Sequence, residues 1–194
     1  KYNLKKYPLN LYECTNCKLV QFSRLAPLKD MYGSSYGYRT SLSDLMINHM
    51  RKKFDEIKKM NILKTNSNIL DIGSNDGTFL NFFNKFGKKL NLFAIDPSAA
   101  KFKNFYNKNI NLIIDFFSKK AIDKFFGKKN KNGKKFSLVT SYAMFYDVED
   151  PNSFCWDINK ILSSDGLWIS EFSYFPLLLK NLTYDQICHE HVTY

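Results

Sequence analysis

Apolar positions recur along this chain in two different periods. From Ser41 the spacing is helical: Leu42, Leu45, Met46, Met50, Phe54, Ile57 and Met60 fall on one face, as expected of an amphipathic helix. Ser41 and Asp44 have capping-box spacing, which places the helix start there. From Asn68 onward the pattern changes to short apolar runs of strand length: ILDI at 69–72, LFAI at 92–95, NLII at 111–114, FSLVT at 136–140 and LWIS at 167–170. Helical stretches separate them: one through Phe86, one from Ser98 to about Tyr106, one over 118–126, and one that Pro151 opens and that runs to Leu162. Five strands alternating with helices predict an α/β fold with a parallel sheet and right-handed crossovers. Ser164-Asp165-Gly166 reads as the turn into the fifth strand, and no internal repeat is visible. Residues 1–30 read as a small turn-rich module that ends in a linker at Ala26-Pro27.

Composition narrows the class. The 194 residues are 44% hydrophobic and 16% aromatic, which supports a packed core and excludes a disordered chain. No apolar run approaches the roughly 18 residues of a membrane span, so no membrane partner is expected. The opening residues KYNLKKYPLN lack the apolar stretch of a signal peptide. Four cysteines do not make a disulfide scaffold, so a reducing cytoplasm is the expected setting. The first residue is Lys and the last is Tyr194, which reads as an internal piece of a longer protein. The net charge of +11 comes from lysines interleaved with Asn, Ile and Phe, the densest run being GKKNKNGKKF at 127–136. That pattern describes a solvated basic surface; beyond it, nucleotides are as reasonable an anionic ligand as nucleic acid.

Three segments carry chemistry. In a doubly wound sheet, ligands bind beyond the carboxyl ends of the strands, and the first strand ends in ILDIGSNDGTFL. Gly73 and Gly77 bracket a tight turn holding Ser74, Asn75 and Asp76, with Asp71 at the strand tip. The spacing is not the dinucleotide pattern G-x-G-x-x-G. Acidic residues there suit a cationic or hydroxyl-rich ligand. Asp96 ends the second strand 25 residues after Asp71, and Asp115-Phe116 ends the third. An acid at a strand end can equally be a helix N-cap, and a Rossmann-like fold with some other ligand is the competing reading. The combination resembles class I S-adenosylmethionine (SAM)-dependent methyltransferases. By that resemblance Asp71, Gly73, Ser74, Asn75, Asp76 and Gly77 form the methionine-side loop, Asp96 grips ribose, and Asp115 and Phe116 lie near adenine.

Cys14 and Cys17 form a C-x-x-C, which offers two thiolates to one tetrahedral zinc ion. A structural site needs four ligands, so this is half of one; a redox pair is the weaker reading. Cys155, in a helical stretch beside Trp156, reads as a buried thiol. The chain closes with NLTYDQICHEHVTY, which gathers Tyr184, Asp185, His189, Glu190, His191 and Tyr194. If extended, the segment puts His189 and His191 on one face and Glu190 on the other. A metal site of Cys188, His189 and His191 is a minor alternative.

The order YPLNLYECTNC, MYGSSYGYRTSLSDLM, ILDIGSNDGTFL, MFYDVEDPNSF, EFSYFPLLL, YDQICHEHVTY resembles the SAM-dependent C-methyltransferases of nucleotide-deoxysugar pathways, which carry an N-terminal zinc-binding domain. The resemblance implies a Rossmann-like SAM-binding domain at 67–175, part of a zinc-binding module at 1–30, a helical cover at 31–66, and the start of a catalytic segment at 176–194. It implies two cofactors, SAM and a structural zinc held in part by Cys14 and Cys17. It implies a small-molecule partner, a nucleotide-linked 4-keto-6-deoxyhexose, methylated at the carbon beside the ketone. His191 is then the base, Glu190 its orienting or relay partner, His189 a substrate or structural contact, and Tyr36 and Tyr38 cover the site, one of them donating to the enolate oxygen. Arg39 is a candidate for pairing with a carboxylate or diphosphate. The family often has Tyr directly before HEH, where this chain has Cys188. A nucleic-acid partner is not expected: an RNA methyltransferase would want N/D-P-P-aromatic or a catalytic cysteine after the fourth strand, where SYAMFYDVEDP stands. A non-catalytic interaction module on the same fold is the third reading, and the intact HEH and DIGSNDG segments weigh against it.

Overall fold

The structure is a computed structural model that describes residues 5–32, 36–127 and 133–194. The lysine-rich run at 128–132 and the Asp185 side chain, both weighed above, lie outside the described residues. The chain begins with an antiparallel pair, β1 (Leu11–Glu13) and β2 (Val20–Phe22). A single turn, α1 (Leu28–Met31), and a 3-10 turn, Thr40–Leu42, lead into the long helix α2 (Asp44–Met60). The α/β body follows: β3 (Asn68–Ile72), α3 (Thr78–Asn81), β4 (Asn91–Ile95), β5 (Ile110–Ile113), α4 (Lys119–Phe126), β6 (Phe136–Tyr142), α5 (Pro151–Ile161) and β7 (Leu162–Glu171). A short helix, α6 (Phe175–Asn181), and a 3-10 turn, Tyr184–Gln186, precede the last residues.

Strands β3 to β7 form one parallel sheet in the order β5-β4-β3-β6-β7. Its core alternates residue by residue, as the pleat requires. Ile69, Leu92, Ala94 and Leu138 face the layer that holds Phe54 and Ile57 of α2. Leu70, Phe93, Ile95 and Val139 face the layer that holds Ile122 of α4 and Ile158 of α5. Both faces are covered, so the strands read as nearly continuous apolar runs. The strand order reverses between β3 and β6, and the carboxyl ends of β3, β4 and β6 therefore open onto one crevice.

The structure corrects several sequence expectations. The cap of α2 is Ser43, whose hydroxyl accepts from the Met46 amide; Ser41 lies in the preceding 3-10 turn and its hydroxyl does not cap. After the glycine turn the helix is a single α-turn that tightens into 3-10 at Phe82–Lys85, and the stretch after β4 is 3-10 throughout, Ala99–Phe105. Strand β7 starts at Leu162, so Ser164-Asp165-Gly166 is not a turn but part of a ten-residue strand with an irregular register opposite Phe136. Gly166 is needed there, because a Cβ would lie 2.7 Å from the Phe136 carbonyl oxygen. The Cys155 thiol is exposed rather than buried, since Phe154 and Ile158 are the positions of α5 that turn inward.

The two ends of the chain interlock. The Phe22 amide donates to the Val192 carbonyl, and the Tyr194 amide donates to the Val20 carbonyl. Val20, Phe22, Leu178 and Tyr194 share a small apolar cluster. The β1–β2 hairpin thus clamps the segment that carries His191.

Candidate functional site

Beyond β3 the backbone turns sharply. The Gly73 amide donates to the Ile95 carbonyl at 3.0 Å and the Gly77 amide to the Ser74 carbonyl at 2.9 Å. Gly73, Asn75 and Gly77 all take positive φ, at 69°, 51° and 77°. Glycine is required at Gly77 by a close approach as well: a Cβ there would sit 2.6 Å from the Tyr106 ring. The Tyr106 hydroxyl donates to the Asn75 carbonyl at 2.7 Å and lies 2.8 Å from Ser74 Oγ, so this buried phenol fixes the loop from below.

A cavity of about 400 Å³ opens in front of this loop. Asp71, Gly73, Ser74, Asn75, Asp96 and Phe116 line one side of it. Asp71 is buried, accepts from Thr140 Oγ1 at 2.6 Å, and is pushed up to about 7 by loss of water. Asp96 is also raised by burial; its Oδ2 accepts from the Asn75 amide at 2.8 Å and its Oδ1 from the amide and hydroxyl of Ser98, each at 2.6 Å. Asp76 and Gly77 do not reach the cavity wall. The Asp76 carboxylate faces inward, accepting from the Ser41 amide at 2.9 Å, the Thr78 amide at 3.1 Å and Thr78 Oγ1 at 2.6 Å. Asp115 turns back onto the Phe116 amide at 2.9 Å, while the Phe116 ring faces the cavity.

The opposite wall comes from the segment before α2. Tyr32, Tyr36 and Tyr38 line it, with ring centroids 5.1 Å and 6.5 Å apart in succession. Asn75 holds this segment to the loop: its Nδ2 donates to the Tyr38 carbonyl at 3.0 Å and its Oδ1 accepts from the Thr40 amide at 2.9 Å. Arg39 approaches Asp76 at 3.9 Å and lies over the Phe105 ring at 4.3 Å, so its carboxylate partner is internal.

His191 is not among the residues that line the cavity; it packs on Tyr146, the chain neighbour of the lining residue Asp147. Its Nδ1 is 2.7 Å from the Gln186 carbonyl oxygen, which can only accept, so Nδ1 carries the hydrogen and Nε2 keeps its lone pair. The ring packs against Tyr146 with centroids 4.3 Å apart and planes tilted by 52°, and burial lowers its pKa below the ordinary histidine value. His189 and His191 do not share a face: the segment turns, and His189 Nε2 lies 2.8 Å from the Tyr7 carbonyl oxygen. Glu190 is exposed, and its carbonyl accepts from the Tyr32 hydroxyl at 3.3 Å.

A family model described as a methyltransferase domain matches residues 46–194. The chain belongs to this methyltransferase-domain family. Among curated proteins it is 26% identical over 188 residues to C-methyltransferase NovU of Streptomyces niveus, covering 97% of this chain and 43% of NovU. Among solved structures, the plantazolicin methyltransferase BpumL in complex with a pentazolic desmethylPZN analog and SAH superposes with a TM-score of 0.57 at 20% identity, over 76% of this chain and 59% of BpumL. A second BpumL structure, with SAH, gives 0.53 at 19% identity over 77% of this chain and 65% of that one. These likenesses establish the Rossmann-like methyltransferase fold. The chain spans under half the length of NovU.

The hairpin, which precedes the residues matched by the methyltransferase-domain model, carries Cys14 and Cys17 at its tip. The Cys14 amide donates to Leu19, and the backbone N–H groups of Cys17 and Asn16 pull the Cys14 thiol pKa down. That favours a thiolate. Among the described residues, however, no three His, Cys, Asp or Glu side chains gather as metal ligands. The donor set does not fit a four-ligand zinc, and the Cys188–His189–His191 alternative fails on the same ground.

The domain also uses groups that the sequence reading passed over. Tyr106 braces the loop, the Tyr142 hydroxyl is enclosed without a partner at the cavity, and Asp147 lines the cavity with its pKa pushed up to about 8 by burial. Tyr32, Tyr146 and Asp147 all fall in the quoted segments MYGSSYGYRT and MFYDVEDPNSF; for Tyr146 and Asp147 the available signal was ionisable residues shortly after a strand end, while Tyr32 follows the turn α1 and carried only the tyrosine-rich composition of its segment. No helix of the described residues is long and apolar enough to cross a membrane.

Proposed function

We propose that this domain binds SAM and C-methylates a nucleotide-linked 4-keto-6-deoxyhexose through an enolate formed by His191. The observation that carries this reading is the state of His191: Nδ1 is tied to the Gln186 carbonyl, its pKa is lowered, Nε2 is left as a neutral base, and its ring packs on Tyr146, whose chain neighbour Asp147 lines the cavity. The NovU relative, a C-methyltransferase by name, supports carbon as the acceptor.

The residues fit SAM. The left-handed turn at Gly73 brings backbone close to the cavity, and the Asp96 carboxylate faces it at the tip of β4, where ribose hydroxyls suit an acceptor. Asp71 and the unpartnered Tyr142 hydroxyl lie at the other end of the loop, suited to the ammonium group of the methionine part. When bound, SAM supplies an electrophilic methyl group. The chain's own residues do the rest. His191 Nε2 takes the proton from the carbon beside the ketone, the electron pair becomes the enolate, and the enolate carbon is the nucleophile. The neighbouring Glu190 carboxylate raises the affinity of His191 for that proton. His189 holds the Tyr7 backbone in place, and Tyr36 and Tyr38 exclude water. No step passes through a metal.

The test is His191→Asn with a nucleoside-diphosphate-linked 4-keto-6-deoxyhexose. Methyl transfer should fall by about 10²–10⁴-fold, deuterium exchange at the carbon beside the ketone should fall with it, and SAM affinity by calorimetry should not change. Exchange at the wild-type rate in the variant would remove His191 as the base.

A further inference from the structure

Glu171, the last residue of β7, has no part in the reaction above, yet it gathers two side chains of α2. His49 Nε2 lies 2.8 Å and 3.0 Å from its two carboxylate oxygens, and Lys53 Nζ lies 3.1 Å from Oε2. A carboxylate only accepts, so His49 Nε2 is the donor. Lys53 also comes within 3.8 Å of Glu56 on its own helix, a longer contact. Glu171 is thus joined to α2 at two points, across the gap between helix and sheet.

These bonds border one lobe of the cavity. Met46, His49, Met50 and Lys53 stand at i, i+3, i+4 and i+7, a single stripe of α2. Along it the two methionines line the cavity and the two polar residues reach Glu171. The sheet supplies the facing side. Met50, Phe79 and Tyr142 share one apolar cluster, Met46 packs against it, and all four line the cavity. Glu171 is the register partner of Tyr142, and neighbours in a parallel pair project to the same face. It therefore stands beside Tyr142 on the α2 side. Methionine side chains are flexible and adapt to the space they are given. They cannot set how far α2 lies from the sheet, whereas directional bonds to a carboxylate can.

We propose that Glu171 is a positioning residue for the cofactor: through His49 and Lys53 it fixes α2 against the sheet, and so the width of the lobe that receives the amino-acid end of SAM. The proposal rests on the SAM reading of the preceding subsection. Glu171, His49 and Lys53 do not themselves line the cavity. They act through Met46 and Met50, as supporting residues act through the ones that touch a ligand.

The experiment measures, by calorimetry on the full chain, the affinity for two probes. S-adenosylhomocysteine carries the amino-acid end, and methylthioadenosine lacks it. Glu171→Ala should weaken S-adenosylhomocysteine binding by about tenfold, the loss expected of a charge-assisted hydrogen bond, and leave methylthioadenosine binding unchanged. Glu171→Gln, of the same shape and still able to accept from His49, should recover most of that loss. His49→Ala should weaken binding with the same selectivity, and the double variant His49→Ala with Glu171→Ala should lose less than the two single losses combined. If Glu171→Ala does not fold, His49→Ala carries the comparison. Equal losses for both probes would show a general structural role. Unchanged S-adenosylhomocysteine affinity would show that the α2 wall needs no such hold. Glu171→Gln as weak as Glu171→Ala would show that the charge acts on the ligand directly. Each of these overturns the proposal and leaves the SAM reading standing. A wild type that binds neither probe would overturn the SAM reading and this proposal together.

Discussion

Asn75 brackets Thr40. Its Oδ1 accepts from the Thr40 amide at 2.9 Å and lies 3.3 Å from Thr40 Oγ1, while its Nδ2 donates to the carbonyl of Tyr38 at 3.0 Å. The same residue's own amide donates to Asp96 at 2.8 Å. One residue of the glycine turn therefore ties the tyrosine wall to the acid proposed to hold ribose. Asn75 suits the place because asparagine tolerates the left-handed φ of 51° better than most residues.

Asn75→Ala should loosen that wall. At about 1 kcal/mol for each of two or three lost hydrogen bonds, the Thr40 and Ser41 amides should exchange with solvent at least ~10-fold faster. Amides in β3 and β4 should keep their protection. Hydrogen exchange by NMR checks this, and unchanged Thr40 exchange would show that α2 holds the segment without help.

Gly77→Ala should destabilise the domain by about 1–3 kcal/mol. The new Cβ would meet the Tyr106 ring at 2.6 Å in a backbone that L residues rarely adopt, with φ at 77°. Tyr106→Leu alone should cost stability by freeing the Asn75 carbonyl, and should partly relieve Gly77→Ala in the double variant. Thermal unfolding of the four proteins closes the cycle; strictly additive losses would mean the ring is not the obstacle.

Much of this arrangement was legible in the residues. The five sheet strands follow from apolar runs whose residues are buried on both faces, as Leu70 and Val139 show beside Ile69 and Leu138. The glycine turn was legible because Gly73 and Gly77 stand at a strand end. The roles of Asn75 and Asp76 were not, because side chains on such a turn look like ligands until the segment that uses them is placed. Thr40 and Ser41 lie 35 residues away and carry no mark of it. Cys155 misled for a simpler reason: helical phase decides burial, and Phe154 and Ile158 hold the inward phase of α5. The HEH segment misled because strand alternation was assumed where the chain turns onto Gln186 and Tyr7.

Asp71 makes a prediction about pH and stability. Its folded value is about 7 against an ordinary 3.8, because burial outweighs the Thr140 hydrogen bond. Between these values the native state keeps a proton that the unfolded chain has released. Stability is then highest at the acid end of the window and falls as pH rises from about 4 to 7. Asp71→Asn should remove one carboxyl's share of that slope, leaving the shares of Asp147, which runs up to about 8, and of Asp96, which burial also raises. The protein without ligand should be more stable at pH 7 in this variant, and SAM affinity should fall. Urea unfolding at several pH values reads it; an unchanged slope would place the titration elsewhere.

The last prediction concerns β7. Among the described residues it has one strand neighbour, β6, and its other side is an edge ten residues long. The opposite edge, β5, is only four residues long, which limits what can pair with it. Along β7, Leu167 is 42% exposed, and Phe172 just beyond its end is 53% exposed. Unpaired N–H and C=O groups beside apolar side chains are a template for another strand. A second copy can meet this edge antiparallel about a two-fold axis and satisfy both edges at once. The protein should therefore self-associate as its concentration rises. Leu167→Lys places a charge on the edge without touching the buried faces of β3 and β6, and should weaken association by about tenfold, the effect expected of roughly 1.4 kcal/mol. Its melting temperature and SAM affinity should stay close to those of the parent. Sedimentation velocity over a concentration series measures this, and a parent that stays monomeric throughout would show that the edge does not pair with itself.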